Sequence, residues 1–185
     1  MFRKWRNVAW LALALIVAPI GSEAKPKAPR TVLDYFDLLP QRFFEVEYFG
    51  SNNKRRKWLK RGLTEFPLYN RSIIDLKNDY IRFPGDGAQR RLDVAVFRYR
   101  GQATVGVYND WDAGELSFWR YKNGRLVDVT EQVLPMGFDG KNGYVLPRFG
   151  TTVRVFQRTG IFRIKPQMKP LYTLRWRGGH FYRQK

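Results

Sequence analysis

Asp110, Asp112 and Glu115 fall in one short run, Asp110-Trp111-Asp112-Ala113-Gly114-Glu115. In an extended segment the two aspartates share a face, and Glu115 opens the next apolar stretch. Carboxylates gathered this way suit calcium, which takes about six to eight oxygen ligands. The run departs from the helix–loop–helix calcium pattern because Gly114 stands where a third oxygen ligand belongs. Paired carboxylates also serve glycoside hydrolysis, where their separation sets the mechanism. The plainer reading is a polar hairpin connection whose carboxylates pair with arginines. Asp110, Asp112 and Glu115 are thus the candidate metal ligands, no residue is assigned a catalytic role, and a small hydrolase stays as a rival.

The second chemistry-bearing stretch is Lys54-Arg55-Arg56-Lys57-Trp58-Leu59-Lys60-Arg61. Ser51 or Asn52 can cap a helix over residues 54–61, with Gly62 after its end. On such a helix, like charges three and four apart repel unless an anion is near. A tryptophan among them suits an interface. Lys54, Arg55, Arg56, Lys57, Lys60 and Arg61, with Trp58, are the candidate anion-binding residues.

Other chemistries are excluded by what is missing. The chain has no cysteine, so disulfides, thiolate nucleophiles and cysteine-ligated metals are out. His180 is the one histidine, which rules out a histidine-rich metal site. No serine sits in a G-x-S-x-G elbow. Gly85-Asp86-Gly87 and Asp139-Gly140-Lys141-Asn142-Gly143 read as turn chemistry, and no cofactor is expected.

The elements that must carry these residues are mostly strands. Thr31 can cap a short helix with an apolar face made by Val32, Leu33, Tyr35, Phe36 and Leu39, stopped by Pro40. From residue 73 the apolar period becomes two. Strands are expected over 73–76, 80–83, 92–99, 103–108, 115–121, 125–129, 152–156, 161–164, 172–176 and 180–183. Asn123-Gly124 is the strongest hairpin signal, and Arg100-Gly101 and Gly178-Gly179 mark two more turns. Trp119 and Trp176 each precede such a turn, which we read as shared hairpin chemistry rather than a repeat. The fold expected is α+β and mainly β: an antiparallel meander or sandwich of nine to ten short strands, with one or two N-terminal helices. Arginines alternate with aromatics in Phe97-Arg98-Tyr99-Arg100, Trp119-Arg120-Tyr121 and Arg175-Trp176-Arg177. In a sheet this buries one set and exposes the other, so rows of arginine could face phosphates.

The first 24 residues have the form of a secretory signal. Arg3, Lys4 and Arg6 precede an apolar core over residues 8–20, and Ser22 and Ala24 supply small side chains for cleavage. The core is shorter than the roughly 20 residues a membrane span needs. Cleavage after Ala24 would leave a basic leader over 25–30 and one domain over 31–185. An uncleaved anchor is the alternative. Loss of the signal over residues 1–24 removes three basic residues and one acidic, leaving 31 and 15 and a net charge of +16.

Leu38-Leu39-Pro40, Gly85-Asp86-Gly87-Ala88-Gln89 and Leu146-Pro147-Arg148-Phe149-Gly150-Thr151-Thr152 together resemble small exported bacterial proteins of uncharacterised function. The resemblance implies one exported domain and no particular activity. A periplasmic or extracellular location follows from the signal and the missing cysteines. A large positive charge implies an anionic partner: a lipid headgroup, an acidic glycan, or an acidic protein for which this chain is an accessory. Export makes nucleic acid an unsuitable partner. A non-catalytic domain that binds an anionic envelope component is the function expected, with no transmembrane span once the signal is removed.

Overall fold

The computed structural model describes residues 27–44, 72–83, 91–110, 114–134, 136–158 and 168–184. The chain is mainly β, with two antiparallel sheets and little helix. Helix α1 (Val32–Leu38) starts where the sequence says it should. The Thr31 hydroxyl accepts from the Asp34 amide at 3.3 Å, and the Asp34 carboxylate accepts from the Thr31 amide at 2.9 Å. This reciprocal pair satisfies two amides that a helix start leaves without partners. Leu39, just before Pro40, is already extended, and a 3-10 turn over Gln41–Phe43 follows.

The first sheet is a six-stranded meander in chain order: β1 (Ile73–Asp75), β2 (Tyr80–Phe83), β3 (Arg91–Tyr99), β4 (Gln102–Asp110), β5 (Glu115–Lys122) and β6 (Arg125–Asp128). Helix α2 (Thr130–Val133) then leads to a four-stranded meander of β7 (Asn142–Val145), β8 (Thr152–Gln157), β9 (Tyr172–Arg177) and β10 (His180–Gln184). Three hairpins turn through two residues of positive φ: Arg100-Gly101, Asn123-Gly124 and Gly178-Gly179. That backbone matches the twist of the flanking strands.

The central strands of the six-stranded sheet are buried on both faces. Its alternate residues Val94, Val105, Val107 and Trp119 share one core with Val32, Tyr35, Phe36 and Leu39 of the α1 segment. Its other face, through Ala95, Phe97, Tyr108 and Phe118, packs against Val153, Val155, Leu174, Trp176 and Phe181 of the second sheet. The layers are therefore helix, sheet and sheet. Gly106 sits under this second core because an added Cβ would lie 2.9 Å from ring atoms of both Phe97 and Phe118.

The structure adds and corrects local detail. Strand β7 was not expected. Residues 142 and 143, read as turn chemistry, begin it, and all four of its residues are buried. Its period-two signal is too short to see, because glycine and asparagine fill half of it. Helix α2 was also not expected. Val129, expected as the end of a strand, instead precedes it as the cap, and the Asp128 carboxylate accepts from the Thr130 amide at 2.8 Å. The two tryptophan hairpins differ. Trp119 is opposite Asp128 and faces α1, whereas Trp176 is opposite Phe181 and faces the inter-sheet core. The strand expected over 161–164 and the helix expected over 54–61 lie outside the described residues.

Candidate anion-binding surface

Strand β9 separates its residues cleanly. Leu174 and Trp176 are buried in the inter-sheet core, while Arg175 and Arg177 are exposed. Residues directly opposite on neighbouring strands share a face, so register extends this face across the second sheet. Thr152 and Tyr182 flank Arg175, Arg154 and Gln184 flank Thr173, and His180 lies opposite Arg177. The outward face of β8, β9 and β10 thus carries three arginines with threonine, glutamine, histidine and tyrosine. It carries no carboxylate among these paired positions.

Spacing makes the charges act together. Arg175 and Arg177 are two residues apart on one strand, about 7 Å along its axis. Arg154 lies diagonal to Arg175, a separation of about 7–8 Å. Among the described residues none of the three has a carboxylate within ion-pair distance. The rings of Tyr182 and His180 lie tilted against each other with centres 4.4 Å apart, placing aromatic surface beside the cations of this face. Arg175, Arg177, Tyr182, Arg183 and Gln184 border a shallow recess of about 440 Å³.

Several carboxylates elsewhere are engaged by arginines. Asp93 is fully buried and holds two of them, Arg82 through a bidentate pair at 3.0 and 3.1 Å and Arg91 at 2.7 Å. Asp75 accepts from Arg148 at 2.7 Å, and Asp79 from Arg98 at 2.7 Å. Hydrogen bonding from Arg148 and then Asn78 holds the Asp75 carboxyl below its usual range.

Of the candidate metal ligands, Asp110 and Glu115 meet different arginines. Asp110, at the end of β4, faces Arg158 at 3.4 Å and accepts from the Tyr108 hydroxyl at 3.3 Å. Burial raises its pKa, and the charges of Arg158 and Arg91 only partly offset this. Glu115, at the start of β5, pairs with Arg42 at 2.9 Å on the exposed side. Asp112 and the whole basic run from Lys54 to Arg61 lie outside the described residues. Among the described residues, no three acidic or histidine side chains gather closely enough for a metal ion. Asp139 closes its own loop by accepting from the Lys141 amide and the Asn142 side chain.

Sequence alternation pointed to Arg175 and Arg177 but not to Arg154, Thr152 or Tyr182. For Thr152 and Arg154 the signal is the Thr-Val-Arg-Val alternation of β8, which acquires meaning only once β8 is known to pair with β9. No helix among the described residues is long and apolar enough to cross a membrane. Comparison with protein-family models, with curated proteins and with solved structures found no match to this chain.

Proposed function

We propose that this protein is an exported, non-catalytic binding domain for an acidic glycan of the cell envelope. The signal over residues 1–24 supplies the export. The observation that carries the reading is the outward face of β8 to β10, where Arg154, Arg175 and Arg177 stand together without a carboxylate among their paired neighbours. Like charges on residues about 7 Å apart along one strand raise one another's energy, and an anionic polymer relieves that.

Two features favour a glycan over a lipid surface. The side chains between the arginines are hydroxyl, amide and imidazole groups, which can meet sugar hydroxyls by hydrogen bonds. Within the paired rows Tyr182 is the one exposed large hydrophobic side chain, which leaves little to insert among acyl chains. The hydrolase reading is less favoured because Asp110 and Glu115 are each paired with a different arginine. The basic run over 54–61 keeps its place in the proposal as a second contact.

Binding of the purified protein to polygalacturonate, to neutral dextran and to phosphatidylglycerol vesicles tests the reading. Polygalacturonate should bind, dextran should not, and vesicles should bind more weakly than the glycan. Equal binding of acidic and neutral polymers, or stronger binding to the vesicles, would overturn it.

A further inference from the structure

A cleft of about 430 Å³ opens where the β1–β2 edge of the first sheet meets the loop after β7 and the face of β8. Arg82, Arg148 and Arg154 all line it, together with Tyr80, Thr152 and the exposed ring of Phe149. We infer that this cleft is a phosphate-monoester subsite. The inference rests on the reading of the adjoining sheet face as an acidic-glycan surface, of which the cleft seats a phosphorylated residue.

Charge is the first reason. Asp93 is shared between Arg82 and Arg91, so one carboxylate faces two guanidiniums. Asp75 neutralises Arg148, and Arg154 has no carboxylate partner among the described residues. The surroundings of the cleft therefore keep an excess of positive charge. Both Arg82 and Arg148 remain partly open to solvent, at 28% and 45% side-chain exposure, so their outer N–H groups are reachable.

Donor geometry is the second reason. One guanidinium fork satisfies a planar carboxylate. Three guanidiniums from three different segments, with the Thr152 hydroxyl, suit a group with acceptor oxygens in several directions. A tetrahedral phosphate monoester carries three such oxygens and close to two charges.

Tyr80 is the third. It is 1% exposed, Arg82 sits 5.5 Å from its ring centre, and its hydroxyl closes no well-formed hydrogen bond. A buried hydroxyl is seldom left so. Burial, with the nearby Asp93 charge, raises its pKa, so the phenol stays protonated and remains a donor.

Calorimetric titration with glucose 6-phosphate, inorganic phosphate and glucuronate tests the cleft. Both phosphates should bind, glucuronate at least about tenfold more weakly, and affinity should rise through about pH 6 as the monoester loses its second proton. Tighter binding of the sugar ester would mark the glycan as the source, and equal binding would mark free phosphate. Arg154→Gln and Thr152→Val, both on solvent-facing positions of β8, should each weaken phosphate binding about fivefold or more. Arg175→Gln with Arg177→Gln should leave it unchanged while weakening polygalacturonate. Phosphate that fails to bind while the polymer binds would overturn the subsite and leave the face standing. Phosphate that binds while the polymer does not would overturn the face instead. Glucuronate as tight as phosphate, or phosphate affinity unchanged in both β8 variants, would also overturn the subsite.

Discussion

Arg120 and Gly179 lie 59 residues apart, and the guanidinium of one donates to the carbonyl of the other at 2.9 Å. The same guanidinium donates to the Thr104 hydroxyl at 2.9 Å, so one side chain ties strands β4 and β5 to the β9–β10 turn. The arginine-bearing face of β9 is thereby held on a fixed base. Trp176 adds a second tie, donating its indole N–H to the Arg98 carbonyl at 3.3 Å.

Arg120→Ala should therefore destabilise the fold by about 2 kcal/mol, the usual worth of hydrogen bonds from a charged donor. Urea unfolding would measure it. Glycan affinity below the transition should stay near that of the parent, because Arg120 points into the sandwich and not onto the binding face.

Asp93 should be the costliest single carboxylate to remove. Asp93→Ala leaves Arg82 and Arg91 facing each other without their shared anion, a loss of about 3–5 kcal/mol. Its removal should lower the thermal midpoint far more than Glu115→Ala, whose pair with Arg42 is exposed at both ends and worth about 0–1 kcal/mol.

Tyr80→Phe should separate stability from binding. Removing a buried hydroxyl that closes no well-formed hydrogen bond relieves a desolvation cost of about 1 kcal/mol, so the variant should be as stable as the parent or slightly more so. Phosphate affinity should fall. A destabilised variant would mean that the hydroxyl is structurally engaged.

Acid titration should split the aspartates in opposite directions. Burial alone would raise the pKa of Asp34, but backbone donors Arg30 and Thr31 outweigh it and lower the value, as Arg148 does for Asp75. Their contributions to stability are present above the unfolded aspartate range and are lost as pH falls through the lower folded values. Asp110, raised chiefly by burial, has the opposite sign, favouring the fold below the unfolded range and losing that benefit as pH rises through its folded value. Carboxyl carbon shifts followed by NMR should show Asp110 titrating above Asp34 and Asp75.

The fold was legible wherever turn chemistry and alternation agreed. Asn123-Gly124 and Gly178-Gly179 announce their hairpins, and Thr31 with Asp34 announces the helix. Strand β7 was not legible because Asn142 and Gly143 are residues that turns also use, and only antiparallel pairing with β8 makes them a strand. The arginine face was half legible. Alternation exposes Arg175 and Arg177, but strand pairing, which no local pattern encodes, brings Arg154 beside them. Pairing likewise sends Asp110 to Arg158 and Glu115 to Arg42, although the two carboxylates are close in sequence.

The central claim is that the outward face of β9 holds the acidic glycan, and the affinity of Arg175→Gln/Arg177→Gln for polygalacturonate tests it most directly. Calorimetry at low and at physiological ionic strength, where the Debye length is about 8 Å, should show a loss of about tenfold or more at low salt. The dependence on salt should also be shallower than in the parent, with circular dichroism unchanged. A folded double variant that binds the polymer as tightly as the parent, with the same salt dependence, would contradict the account.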